Sequence, residues 1–314
     1  MELRTIGEIP VPLAGIGCNN FGRRIDEART NEVVNAAFEA DATLFDTADL
    51  YGDGRSEEFL GRALGSRRDR AVIVSKFGMR AAPDGMTGGD PRWAVRACED
   101  SLGRLGTDRI DVYLLHTPDE ATPIGDTLSA MSRLVDEGKV REIGCSNFSA
   151  KQLDEAQDAA RDLELHPFVT VQNEYNLLER EPRDEVLPAC RRLGVSFMPY
   201  YPLASGMLTG KYRRGEPPPP GTRMAGRDGW DEFLTDERFD VVDRLTSFAK
   251  ERGHLLLELA IAWLATQPEI ATVIAGATGA EQVRANAEAV DSWRLSDDEF
   301  AEIDELLGDE ASPR

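Results

Sequence analysis

Lysine is scarce in this chain of 314 residues: Lys76, Lys139, Lys151, Lys211 and Lys250 are all there are, so arginine supplies most of the positive charge. A lysine that closes an apolar run is therefore conspicuous. Cysteine is sparse too. Cys18, Cys98, Cys145 and Cys190 lie far apart and make neither a CxxC pair nor a zinc pattern, which points to free thiols in a reducing compartment. His166 and His254 have no neighbours in sequence that suggest a metal site. Positive charge as a whole is in deficit, with 36 basic against 57 acidic side chains and a formal charge of −21. That balance opposes unsteered binding to nucleic acid or to anionic membrane surfaces. The N-terminus has no basic start followed by a long apolar core, and no stretch approaches 18 apolar residues. A cytoplasmic protein without membrane spans is expected. There is no repeat of fixed period, no low-complexity tract beyond Pro217 to Pro220, and no complete GxGxxG, since Gly15-Ile-Gly17 lacks the third glycine.

Against these absences stands one rhythm. Apolar runs end on or beside Asp46, Lys76, His116, Asn147, Gln172 and Tyr200, which lie 30, 40, 31, 25 and 28 positions apart. A strand, a crossover helix and two short loops occupy roughly 30 residues, so each step is close to one βα unit. Strands buried on both faces read as near-continuous Val, Ile and Leu, and a closed parallel barrel carries its working groups where strands give way to loops. A (β/α)8 barrel over residues 1–314 as a single domain is expected, with an N-terminal β-hairpin at 3–6 and 9–11 and a first barrel strand near 12–16. Helices are expected near 28–40, 57–64 with Ser56 as N-cap, and 91–104 behind Asp90-Pro91. Ser149 to Gln152, Thr278 to Glu281 and Ser296 to Glu299 have capping-box spacing. Residues 202–235, rich in Pro and Gly, read as a long loop after strand 7, because a helix at 236–267 and a strand at 271–274 still have to complete the barrel.

Side chains from neighbouring strand ends, about 4.8 Å apart, can converge on one small volume. Asp46, Tyr51, Lys76 and His116 would meet there. A phenol is a poor acid at neutral pH unless its phenolate is stabilised, which a cationic Lys76 can do with Asp46 as counter-ion, while His116 can orient a substrate oxygen. The four describe reduction of a small-molecule carbonyl, with hydride from a cofactor. Ser146, Asn147 and Gln172 suit a carboxamide, Tyr200 offers a flat face for a pyridine ring, and backbone N–H groups around Gly276 to Gly279 can receive phosphate or adenosine groups. Taken singly, each residue has a plain structural reading, as turn former, strand end, loop cap or packing group. Their joint occurrence is what favours chemistry. Trp230, in the long loop, is the one tryptophan read as a candidate substrate wall. Loops 19–25, 78–89 and 213–235 would shape the substrate pocket.

Several segments in order resemble the aldo/keto reductase superfamily. PheAspThrAlaAspLeuTyrGlyAspGlyArgSerGluGlu (45–58) is similar to its aspartate–tyrosine signature, ValSerLysPheGly (74–78) to its lysine strand, and AspValTyrLeuLeuHisThrProAsp (111–119) to its histidine motif. IleGlyCysSerAsnPhe (143–148), ValGlnAsnGluTyrAsn (171–176) and the stretch from Tyr200 to Tyr212 extend the match over nearly the whole chain. The resemblance implies Tyr51, Lys76, Asp46 and His116 as the catalytic set, and Ser146, Asn147, Gln172 and Tyr200 as nicotinamide contacts. It also implies Leu203, Ser205, Lys211 and Arg223 along the pyrophosphate and ribose, and Gly276, Thr278, Gln282 and Asn286 around the adenosine. Tyr201 stands where many members have serine. Gly276 and Gln282 stand where some have a lysine and an arginine for a 2′-phosphate, with Arg284 or Arg223 left to supply charge. NADPH is expected on family precedent, with NADH open. The superfamily also includes potassium-channel β subunits, so a cofactor-binding partner subunit with little turnover is the alternative expectation. The natural substrate and the oligomeric state have no code in the sequence.

Overall fold

The computed structural model describes residues 1–79 and 82–308. Arg80 and Ala81 of the expected loop 78–89, and residues 309–314 of the expected single domain, lie outside the described residues. Two short strands, β1 (Leu3–Ile6) and β2 (Ile9–Pro12), pair antiparallel as the hairpin read from the sequence. Eight parallel strands follow in barrel order. They are β3 (Ala14–Gly17), β4 (Leu44–Asp46), β5 (Val72–Phe77), β6 (Ile110–Leu115), β7 (Val140–Ser146), β8 (Thr170–Glu174), β9 (Ser196–Tyr200) and β10 (Val273–Gly276). The ladder runs from β10 through β3 to β9, and a parallel bridge between Phe197 and Ile270 joins the remaining seam. This is the expected (β/α)8 barrel. Among the described residues no helix is long and apolar enough to cross a membrane.

The run IleAspValTyrLeuLeu is buried at every position of β6, as a strand with a barrel lumen on one side and helices on the other must be. Lumen-facing Leu44, Val74, Val112, Leu114, Met198 and Ile274 pack with Ile6, Ile9 and Val11 of the hairpin, which thus fills the barrel floor. The opposite end of the strands stays open for chemistry.

Helix boundaries follow their caps with three exceptions. Asp90 accepts from the Arg92 N–H at the start of α3 (Pro91–Leu105), and reciprocal capping boxes open α5 (Ala150–Asp162) and α11 (Asp297–Leu307). Ser56, expected as an N-cap, lies inside α2 (Arg55–Leu64), whose N-cap is Gly54. Its hydroxyl is buried, donates to Cys18 O over 2.9 Å and bonds the Thr47 hydroxyl at 2.9 Å, so it fastens α2 to the ends of β3 and β4. Thr278 also fails as a cap: α10 (Ala280–Ser292) has Gly279 at its N-cap, and the Thr278 hydroxyl bonds Gln282 instead. The expected helix 236–267 is two, α8 (Asp236–Glu251) and α9 (Leu256–Ala265), divided at Gly253, which takes the left-handed φ of 78°. The last strand begins two residues later than expected.

Candidate active site

The candidate residues gather at the C-terminal ends of the barrel strands. Asp46 is the last residue of β4, Lys76 the last but one of β5, and His116 follows β6 directly. Tyr51 opens a one-turn 3₁₀ segment five residues after Asp46. Lys76 Nζ lies 2.7 Å from Asp46 Oδ1 and donates to the Thr47 carbonyl over 2.8 Å. Both partners are almost wholly buried, Lys76 at 0 % exposure and Asp46 at 3 %. Two of the three ammonium protons are thereby placed, and the ammonium stands 5.1 Å from the centre of the Tyr51 ring. His116 packs edge-on to that ring, with centroids 6.0 Å apart.

Electrostatics here differ from the expectation in one respect. Lys76 makes no hydrogen bond to the Tyr51 hydroxyl. Burial, followed by the Asp46 carboxylate, raises the Tyr51 phenol well above its usual range, so it is firmly protonated. The Lys76 ammonium directs its hydrogen bonds to Asp46 and Thr47 instead. His116 is pushed down to about 3 by burial and by the nearby Lys76, and is therefore a neutral imidazole; among the described residues its Nδ1 is buried without a partner.

Further side-chain contacts hold this arrangement. Ser75, beside Lys76, donates to buried Glu57, which also takes the Arg104 guanidinium at 2.7 Å, tying α2 and α3 to the lysine strand. Gln172 donates to Asp46 Oδ1 over 3.0 Å. Ser146 Oγ donates to Gln172 O, and the Asn147 amide reaches His116 O at 2.9 Å and Ser146 Oγ at 3.2 Å. Tyr200 donates to Asn147 Oδ1 over 2.9 Å. Ser146, Asn147, Gln172 and Tyr200 share a cavity of about 550 Å³ with Asp46, Tyr51 and His116. Of the loops expected to shape it, 19–25 contributes Asn19 and Arg23, 78–89 contributes Met79, and 213–235 contributes Arg223. Trp230 does not line it; the indole borders a separate groove with Pro217, Pro218 and Arg227.

A second cavity of about 440 Å³ adjoins the first across Tyr201, Arg223 and Gly276, which line both. Leu203, Ser205, Lys211, Arg223, Gly276, Thr278, Gln282 and Asn286 all line it. Arg284 does not. It pairs with Glu39 at 2.8 Å in a groove elsewhere, and is withdrawn as a source of charge. Arg24, which the sequence reading missed, takes part instead. Burial and cationic neighbours lower Arg24, through Arg223 and Arg23, and Lys211, through Arg24 and Arg223. A knot of cations kept together in a chain of −21 fits a bound polyanion. Tyr201 sits at φ 53° between the two spaces, its hydroxyl accepting from Arg223 at 2.7 Å and its ring lying 4.4 Å from that guanidinium. Gln282 Oε1 accepts from Thr278 N over 2.7 Å, so position 282 presents an amide and no charge.

Comparison with known proteins places the chain in a family. The pattern of the Aldo/keto reductase family matches residues 14–308. An Arabidopsis thaliana protein named as a probable voltage-gated potassium channel subunit beta is 36% identical over 278 residues, covering 86% of this chain and 84% of its own. L-glyceraldehyde 3-phosphate reductase of Escherichia coli (strain K12) is 30% identical over 324 aligned positions, covering 98% of this chain and 93% of its own. Among solved structures, glycerol dehydrogenase from Gluconobacter oxydans superposes with a TM-score of 0.83 at 27% identity, over 99% of this chain and 96% of its own.

Proposed function

This chain belongs to the aldo/keto reductase family and is an oxidoreductase, and from that premise we propose that it reduces an aldehyde or ketone to the alcohol with Tyr51 as general acid. The observation that carries this reading is the buried Lys76–Asp46 pair, 2.7 Å apart, set behind the Tyr51 ring, which lines one cavity with Asp46 and His116. When bound, a reduced nicotinamide supplies the hydride that no side chain can. Ser146, Asn147, Gln172 and Tyr200 would hold its ring, and Arg24, Lys211 and Arg223 its phosphates. Leu203, Ser205, Gly276, Thr278, Gln282 and Asn286 would line the rest.

Tyr51 gives its phenolic proton to the carbonyl oxygen as that oxygen gains the charge of an alkoxide. The phenol enters the reaction protonated because burial and Asp46 hold its proton. Lys76, held 5.1 Å from the ring centre, stabilises the phenolate left behind. Neutral His116, in its Nε2–H tautomer, would donate to the same oxygen and fix its position. The expected cofactor is NADPH by family precedent. With an amide at Gln282 and no side chain at Gly276, its margin over NADH is expected to be small.

The test is a steady-state screen of aldehydes and ketones with NADPH and with NADH, following loss of the reduced cofactor. Turnover with a carbonyl substrate supports the proposal. Tight cofactor binding with no oxidation across the panel would favour the partner-subunit reading, to which the relatives named as channel subunits point.

A further inference from the structure

The cation knot of the second cavity accounts for Arg24, Lys211 and Arg223, but among the described residues two arginines line the first cavity alone. They are Arg23, in the loop after β3, and Arg55, the first residue of α2. Neither has an ion-pair partner among the described residues, although the chain has 57 acidic side chains to offer. Among the described residues the one polar contact of the Arg55 guanidinium is to the Gly52 carbonyl at 3.0 Å. Of the two carboxylates lining the same space, Asp46 is neutralised by Lys76, leaving Asp53 against Arg23, Arg55 and Arg223. The mouth of this site is net positive on a strongly negative molecule.

The placement of both guanidiniums is built into the backbone. The 19–25 loop is closed by bonds from Arg24 N and Ile25 N to Asn20 O, at 2.9 and 3.1 Å, and from Gly22 N to Ile25 O at 3.0 Å. Buried Phe21 anchors it. Gly22 takes φ +69°, and a Cβ there would lie 2.5 Å from Arg55 Cβ. Only glycine lets this loop lie flat on the start of α2, and that contact sets Arg23 and Arg55 on one rim. A guanidinium presents paired N–H donors that match the oxygens of a carboxylate or phosphate, and a charged mouth concentrates ligands of opposite sign.

We infer that Arg23 and Arg55 form an anion-recognition rim, so that the substrates favoured are short carbonyl compounds carrying a carboxylate or phosphate. This rests on the carbonyl-reductase reading and narrows its substrate class.

The experiment compares matched pairs: succinic semialdehyde with butanal for the carboxylate, and glyceraldehyde 3-phosphate with glyceraldehyde for the phosphate. Specificity constants are measured for the native protein and for Arg23→Gln, Arg55→Gln and the double variant. In the native protein at least one anionic member is expected to exceed its neutral partner by roughly 10- to 100-fold, the scale of one or two charge-assisted hydrogen bonds. That ratio should fall towards one in the double variant, through KM, and shrink as salt is raised. The pair that shows the larger ratio identifies the anion as carboxylate or phosphate. Equal constants within both pairs in the native protein would overturn the rim, as would a ratio that survives the double substitution or a loss shared equally by both members. Calorimetric titration with 3-phosphoglycerate and with succinate reads the rim without turnover. Heat with at least one in the native protein and none in the double variant supports it, and no heat with either in the native protein overturns it. Absence of turnover on every aldehyde, with anion binding retained, would instead count against the reductase reading.

Discussion

The Gln172 side chain donates to Oδ1 of Asp46 over 3.0 Å, the same oxygen that lies 2.7 Å from Lys76 Nζ. A carboxylate accepts but does not donate, so the amide must turn its Nε2 inward and leave its oxygen free. One residue thereby joins the ion pair beneath Tyr51 to the group of Ser146, Asn147 and Tyr200. Gln172→Met, which keeps the volume and removes the amide, is expected to weaken cofactor binding and turnover together, each by about tenfold, on the scale of a hydrogen bond to a charged group. Fluorescence titration of the cofactor beside steady-state kinetics checks this. A change in one quantity without the other would separate the two roles.

Tyr51→Phe keeps the ring that packs against Lys76 and His116 and removes only the proton donor. Turnover is expected to fall by ~10²-fold or more, with cofactor affinity retained. Undiminished turnover would remove Tyr51 from its role.

The Lys76–Asp46 pair is buried on both sides, so removing one partner leaves a charge with no water to receive it. Lys76→Met is expected to lower folding stability by about 3–5 kcal/mol. Adding Asp46→Asn, which still accepts from Gln172 through its side-chain oxygen, should recover part of that loss. Denaturant titration of the two variants against the native protein measures the difference, and a double variant no more stable than the single one would contradict it.

The strand pattern made the barrel and the candidate set legible because each buried strand is apolar up to the residue that leaves the wall. Asp46, His116, Asn147 and Tyr200 stand at that transition, Lys76 one residue before the end of its strand and Gln172 two residues before. The same rule applied to the first barrel strand finds Asn19 and Asn20, which border the two cavities. Other features had no local signal. Arg24 belongs to the cation knot only because its loop folds beside residues 211 and 223, which are remote in sequence. Ser56 reads as a cap because Glu57 and Glu58 follow it at the start of a helical stretch, yet its hydroxyl serves two strand ends that the chain brings to it from residues 18 and 47. The state of the Tyr51 phenol likewise has no local signal, since its burial, the larger influence, comes from the fold.

The adenosine end gives a sharper test of cofactor choice. Gln282 is held by Thr278 and lines the second cavity, while Arg284 is paired outside it. Gln282→Arg is expected to raise the preference for NADPH over NADH by roughly tenfold, the scale of one added charge-assisted contact to a phosphate. The ratio of specificity constants for the two cofactors reads this, and an unchanged ratio would place the 2′-phosphate elsewhere.

Glu174, the last residue of β8 and register partner of Tyr200, has its carboxyl raised from 4.5 to about 7 by burial and then by Glu179, against the pull of Arg238 and Arg223. Since the folded form holds this proton more tightly than the unfolded chain, the contribution to stability is complete below pH 4.5. As pH climbs from there to about 7, the unfolded chain ionises first and the contribution is lost. Glu174→Gln cannot ionise and should escape that loss. Thermal unfolding of the two proteins is therefore expected to coincide near pH 4, diverge through the interval, and leave the glutamine variant the more stable at pH 8. Melting curves that stay parallel across the whole range would mean that the carboxyl is already ionised in the folded protein well below neutrality, with Arg223 and Arg238 outweighing its burial.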